Sequence, residues 1–196
     1  MRMATLKVHV KGWAALMMHS DKMADPTSRW ARLMKEHTSQ RKKTDETHLA
    51  MMHLEFLAAL YHDGKEPYIP GINIEMSLVE AAKFQKLGKE TKRSLLVQEE
   101  RVHFEYAGKS KAKTAEDLWR SEEPSFRDVR GVVVSRSRVM RCRPIFRDWS
   151  AVFTVQFDAD RMNLDEVQRI VKDAGHLVGL CDFRPRFGRF DVVNVE

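Results

Sequence analysis

The chain has 196 residues, 43% hydrophobic and 32% charged, with 34 Lys and Arg against 28 Asp and Glu, a net charge of +6 and a pI near 9.4. That length holds one domain, or one domain with a sizeable insertion, and can bury a real core; the basic excess favours a polyanionic ligand only where it clusters. Apolar runs such as WAALMM (13–18) are far too short to span a membrane, and the N-terminus has no charged start leading into an apolar signal core. Cys142 and Cys181 have no CxxC partner, so the expectation is a reduced, cytoplasmic protein without membrane contact.

Taken in chain order, 4–10 (ATLKVHV) alternates apolar and polar residues and predicts a first strand. Residues 20–48 are polar without a sustained period and predict a long excursion with a short helix near 30–34, of the kind that carries function or stays disordered. Thr44, Asp45, Glu46 and Thr47 resemble a helix start, and Leu49, Met52, Phe56 and Leu60 recur at spacings of three and four, predicting a helix over about 45–60. Asp63-Gly64 is a hairpin signal. Asn73 is expected to cap a helix to about Leu87 with Ile74, Leu78, Ala81 and Ala82 inward.

Residues 88–130, rich in Lys, Glu and Ser, read as a projecting insertion with short strand candidates at 94–98 and 101–106. The stretch 131–143 begins as a strand, becomes an alternating arginine segment and stops at Pro144; 149–157 is a clear strand. Asn163 caps a helix over 164–175 ended by Gly175, and 190–195 is the last strand. The resulting β-α-(insertion)-β-β-α-β order predicts an α+β, ferredoxin-like (RRM-like) core. It spans 1–196 as a single domain, with the excursion at 20–48 and the insertion at 88–130.

The strongest local bias lies at 126–149, where Arg127, Arg130, Arg136, Arg138, Arg141, Arg143 and Arg147 face only Asp128 and Asp148, with no lysine. Bidentate phosphate contact and stacking on bases favour the planar guanidinium. Arg136 and Arg138 share a parity, as do Arg141 and Arg143, and Phe146 and Trp149 are stacking candidates beside them. The competing reading pairs these arginines with acidic residues, Asp128 and Asp148 first. Arg41, Lys42 and Lys43 precede a helix N-terminus, where a phosphate fits, though a solvated charge run would look the same. Lys89, Lys92 and Arg93 are a weaker version.

In 179–193, Arg184, Arg186 and Arg189 alternate with Phe183, Phe187 and Phe190, flanked by Gly179 and Gly188. Charge and flat apolar surface are offered together, with Phe183 and Phe187 as stacking candidates and Phe190 assigned to the core. Eight histidines form no HExxH, and neither cysteine has a cysteine nearby, so no metal and no cofactor is expected. His19, Asp21, Asp25 and His37 are scattered acid–base candidates for a nuclease.

Two segments carry a resemblance. EPYIPGINIEMSLVEAAK (66–83) is similar to the segment in which Ile-Pro-Gly leads into a helix in the RAMP superfamily, the repeat-associated proteins of CRISPR systems. GHLVGLCDFRPRFGRFDV (175–192) resembles that superfamily's C-terminal glycine-rich loop. Pro70-Gly71 matches the turn before the first core helix, Gly179 and Gly188 the loop glycines, and Arg184, Arg186 and Arg189 the basic residues around them. Family loops carry more glycine, where this chain has Cys181, Asp182 and Phe183, and the chain is short for a backbone subunit.

The likeness extends to the RNA-binding backbone subunits and to small stand-alone relatives, including phage-borne ones. It implies an RRM-like core with an inserted thumb or hairpin, and single-stranded RNA held in a basic groove between stacked subunits. The implied function is a non-enzymatic protein that assembles head to tail into a filament or ring, alone or with other CRISPR-type subunits; the residues do not exclude single-stranded DNA. The alternatives are an RNA endonuclease of the same fold and a backbone-subunit mimic that interferes with an effector complex.

Overall fold

The computed structural model describes residues 2–134 and 136–196, the side chain of Val134 excepted. In chain order the elements are β1 (Met3–Gly12), β2 (Leu16–Met17), α1 (Arg29–Thr38), α2 (Asp45–Ala59), β3 (Tyr68–Pro70), α3 (Gly71–Ala82), α4 (Gly88–Ser94), β4 (Leu95–Val97), β5 (Arg101–Tyr106), α5 (Ala115–Arg120), β6 (Arg127–Val134), β7 (Ser137–Phe146), β8 (Trp149–Asp158), α6 (Leu164–Asp173) and β9 (Phe190–Val195). The fold is mixed α and β with antiparallel strand pairing. The chain forms two compact units, one from Met1–Met17, Tyr68–Ala107 and Phe146–Glu196, the other from Met18–Pro67 and Gly108–Ile145. No helix among the described residues is long and apolar enough to cross a membrane.

In the first unit the strand order is β5-β8-β1-β9, with β3 outside β5 and β4 also pairing β8. β1 and β8 run antiparallel from Met3 opposite Asp158 to Lys11 opposite Ser150. The strict alternation of β1 buries Leu6, Val8 and Val10, while that of β8 buries Ala151, Phe153, Val155 and Phe157. Ile74, Leu78, Ala81 and Ala82 of α3 and Val167, Ile170 and Val171 of α6 complete this core. α3 starts at Gly71 behind Pro70, not at an Asn73 cap. Its first turn is fixed by the Gly71 N–H donating to the Glu100 carbonyl at 3.0 Å, and a Cβ at Gly71 would meet the Glu99 carbonyl oxygen at 2.1 Å.

The strand beside β8 is β5, inside the segment expected to project as an insertion. Its sequence RVHFEY buries every second residue, Val102, Phe104 and Tyr106, as a half-covered sheet position requires. The expected occupant, 131–143, forms the β6–β7 hairpin of the second unit instead, with Arg130 opposite Arg141 and Val133 opposite Arg138. Arginines on both faces of that stretch cannot be covered by helices without burying charge. β7 also runs through Pro144 to Phe146 rather than stopping there.

The second unit is organised by α2. Thr44 caps it reciprocally with Thr47, as the sequence predicts. On this helix His53 stacks on Trp119 of α5 at 4.7 Å between ring centroids and hydrogen-bonds Glu116 at 3.1 Å. α1, within the expected excursion, is a full ten-residue helix capped by the Ser28 side chain.

Candidate nucleic-acid interface

In the first unit, α6 ends in a wide helical turn, Ala174–Val178, and the chain then enters the 179–189 loop. The loop is closed at its neck. Leu180 donates its N–H to the Gly188 carbonyl at 2.9 Å, and Gly188 donates to Ala15 at 2.8 Å. Gly179 and Gly188 have φ of 84° and 73°, a region L side chains rarely adopt. A Cβ on Gly188 would sit 2.0 Å from the Leu180 carbonyl oxygen, and one on Gly179 2.5 Å from that of Phe187. The two glycines therefore close the neck and let its strands touch.

α3 braces the loop from beneath. Ser77 Oγ donates to the Gly179 carbonyl at 2.8 Å, and Asn73 Nδ2 lies 3.8 Å from Cys181 Sγ. Burial of the sulfur pushes the Cys181 thiol up to about 12, which keeps it protonated at neutral pH. Cys181 and Phe183 are themselves left-handed, with φ of 59° and 57°. This strain is held by the neck bonds and by Asp182 N–H donating to Met17 O at 2.9 Å.

The loop turns its charge outward. Arg184 and Arg186 are exposed. Arg189 is held more firmly, with Nε donating to the Pro185 carbonyl at 2.6 Å and its guanidinium 5.4 Å from the centroid of the Trp13 ring. Phe183, 42% exposed, meets Phe187 edge to face at 5.8 Å. Trp13, 54% exposed, is the residue sequence reasoning missed. It sits at the end of an apolar run, and only the Arg189 carbonyl accepting the N–H groups of Trp13 and Ala14 brings it to the loop.

Phe146 and Trp149 are corrected as stacking surfaces, because both are fully buried. Phe146 packs against Phe104 and Tyr106, each at 5.0 Å. Trp149 lies under Gly12 and donates its indole N–H to the Ala14 carbonyl at 2.8 Å. They flank the turn between β7 and β8 with inward parity, and exposed Arg147 and Asp148 form the turn itself. Phe190 is core, as expected.

The second unit divides the remaining arginines. Asp128 grips Arg130 with both carboxylate oxygens, and this pairing raises the Arg130 pKa. Glu122 takes Arg127, and buried Glu55 accepts from Arg141 Nη1 at 2.7 Å and from the Cys142 N–H at 2.8 Å. Arg143 is itself buried. Arg141 and Arg143 therefore serve the interior, the outcome the competing reading anticipated for the cluster. Arg136 and Arg138, at the hairpin tip, are exposed with no ion pair among the described residues. Arg41, Lys42 and Lys43 are exposed between α1 and α2.

Of the acid–base candidates, His19 and Asp21 line one cavity of about 340 Å³ with Glu55 and Arg141. Asp25 is not there: it accepts from the Thr27 N–H and hydroxyl, which lowers its pKa. His37 lies in the last turn of α1. Among the described residues no group of three or more His, Cys, Asp or Glu is placed to hold a metal ion.

No family model matches the sequence, and no curated protein matches it. Among solved structures, a chain of the cryo-EM structure of the Type III-B Cmr-beta bound to cognate target RNA is similar, coarsely, with a TM-score of 0.49 and 12% identity; the similarity covers 100% of this chain and 60% of that one.

Proposed function

We propose that the protein binds single-stranded nucleic acid, RNA in preference, through the 179–189 loop, on a ferredoxin-like core of the RAMP type, and assembles head to tail along its ligand. The observation that carries this reading is the loop itself. Its backbone is pinned at a two-glycine neck, Arg184 and Arg186 point outward from it, and Arg189 lies over the exposed Trp13 ring. That arrangement offers guanidinium groups to phosphates and an aromatic face to a base. The strand order of the first unit, β9-β1-β8-β5 with two helices, supports the ferredoxin-like core, and the motif at 66–83 supports the superfamily. RNA is favoured by the resemblance alone, and so is assembly with further copies or other CRISPR-type subunits. Arg136, Arg138, Arg41, Lys42, Lys43 and Arg147 are proposed as further phosphate contacts.

Labelled single-stranded RNA and DNA titrated across a salt series test it, with the mixtures imaged for filaments. Each phosphate contact should contribute about −0.7 to the slope of log affinity against log salt for a single strand. Absent or salt-insensitive binding rejects the reading. The nuclease alternative draws on His19 and Asp21 sharing a cavity with Arg141; shortened RNA in the same mixtures, abolished by Asp21→Asn, would favour it instead. Firm capture by a CRISPR effector complex without RNA binding would favour the mimic.

A further inference from the structure

A second feature lies in the other unit. A groove of about 490 Å³ is lined by Met23, Met34 of α1, Met51 and Met52 of α2, and Met140 and Arg141 of β7. Four of the five methionines are half-buried and Met140 is 60% exposed. α1 carries Trp30, Leu33 and Met34, yet buries no residue fully. A concave groove of this size lined mainly by apolar side chains has the make-up of a small-ligand site.

Its chemistry narrows the occupant. Methionine is flexible and polarisable, fits surfaces of differing shape and makes favourable sulfur contacts with aromatic rings. The volume suits a small planar group; an amphipathic helix would need a long trough for its anchors at i, i+3, i+4 and i+7. The charge around the groove is cationic. Thr38 and His48 both line it, and the connection between them carries the exposed Arg41, Lys42 and Lys43. Arg138 lies two residues along β7 from Met140, on the same side of the strand, with its side chain across Gly131. Asp45 and Glu46 are exposed on the first turn of α2, but the carboxylate inside the groove, Glu55, is already occupied by Arg141 and the Cys142 N–H. An apolar, polarisable floor under a predominantly cationic rim complements a flat heterocycle carried on a phosphate chain.

We propose that this groove receives one or two unstacked bases of the bound strand, with methionine side chains against the ring faces and Arg41, Lys42, Lys43 and Arg138 on the flanking phosphates. The inference rests on the nucleic-acid reading above.

The full-length chain is titrated with a short oligoadenylate and with an abasic ribose-phosphate oligomer of equal length and charge, and peroxide oxidation of each methionine is followed by mass spectrometry. The base-bearing oligomer should slow oxidation of Met34, Met51 and Met140 at least about threefold, and the abasic one should not. Met140→Ser, on an exposed strand position, should weaken oligoadenylate binding about threefold to tenfold while leaving abasic binding and the salt slope unchanged. Equal protection by both oligomers, or an unaltered Met140→Ser affinity, overturns the groove proposal while the nucleic-acid reading stands. Failure of both oligomers to bind overturns the reading itself. Protection of these methionines by an acidic amphipathic peptide but not by RNA overturns the proposal in favour of a protein-docking surface.

Discussion

Gly188 shows how one residue sets the geometry of the loop. Its φ of 73° and the 2.0 Å approach of the Leu180 carbonyl oxygen to a would-be Cβ leave no relaxation that keeps the neck closed. Gly188→Ala should cost about 1–3 kcal/mol, read as a lowered melting temperature, whereas Arg184→Ala, at an exposed position, should leave it within about 0.5 kcal/mol of the parent. Trp13 separates binding from folding in the opposite sense. It is more than half exposed, so Trp13→Ala should preserve the melting temperature while weakening single-stranded RNA binding by about 1–3 kcal/mol if a base stacks there. Fluorescence anisotropy with a labelled oligomer measures this. The arginines and glycines of this loop were legible in the sequence because their types alone suggest the chemistry. Trp13 was not, since only the hydrogen bonds to the Arg189 carbonyl bring it alongside.

On the scale of an element, the β6–β7 hairpin turns one arginine-rich stretch into two groups with separate roles. Arg138 is paired across the ladder with Val133, whereas Arg130 opposes Arg141 and Asp128 opposes Arg143. Arg136 and Arg138, the proposed phosphate contacts, are exposed; Arg141 is tied to Glu55. Arg136→Ala and Arg138→Ala should each reduce the magnitude of the salt slope by about 0.7 for a single-strand contact without changing the melting temperature. Arg141→Ala should act on stability instead, because it leaves the buried Glu55 carboxylate with one fewer partner. A loss of about 1–3 kcal/mol in urea unfolding checks this. Composition could not make that division: the sequence shows seven arginines, and Glu55, which claims one of them, stands 86 residues earlier.

At the scale of the whole molecule, each compact unit carries one free cysteine, buried Cys142 in the second and half-buried Cys181 in the first. Burial holds both near 12, with the Glu55 charge adding to the effect at Cys142. Unfolded thiols ionise near 9.0, so between about pH 9 and 12 the unfolded chain releases protons that the folded chain retains. Stability therefore carries no thiol penalty below pH 9 and falls as pH rises above it, by up to about 1.4 kcal/mol per pH unit per cysteine. Urea unfolding of the parent beside Cys142→Ala and Cys181→Ala should show the shallower alkaline decline in the variants. At pH 8 the buried Cys142 thiol should resist alkylation until the second unit opens, so its labelling rate reports the opening of that unit.

Local pattern determined most of the elements. Alternation predicted β1, and short local runs predicted β5, β8 and β9; the helix-start residues at 44–47 with spacings of three and four predicted α2, and Asn163 predicted α6, because caps and periodicity act over a few residues. Which strand lies beside β8 was a tertiary decision. Both 101–106 and 131–143 read as strands, and the sheet took β5, whose alternation leaves one face wholly apolar. The same long-range packing sent Phe146 and Trp149 into the core, tied Arg141 to Glu55, brought Trp13 under Arg189, and gathered five methionines from α1, α2, β7 and the chain before α1 around one groove. Residue type carries the chemistry a side chain can perform, but exposure and partners are properties of packing between distant segments, and those decide whether the chemistry faces a ligand.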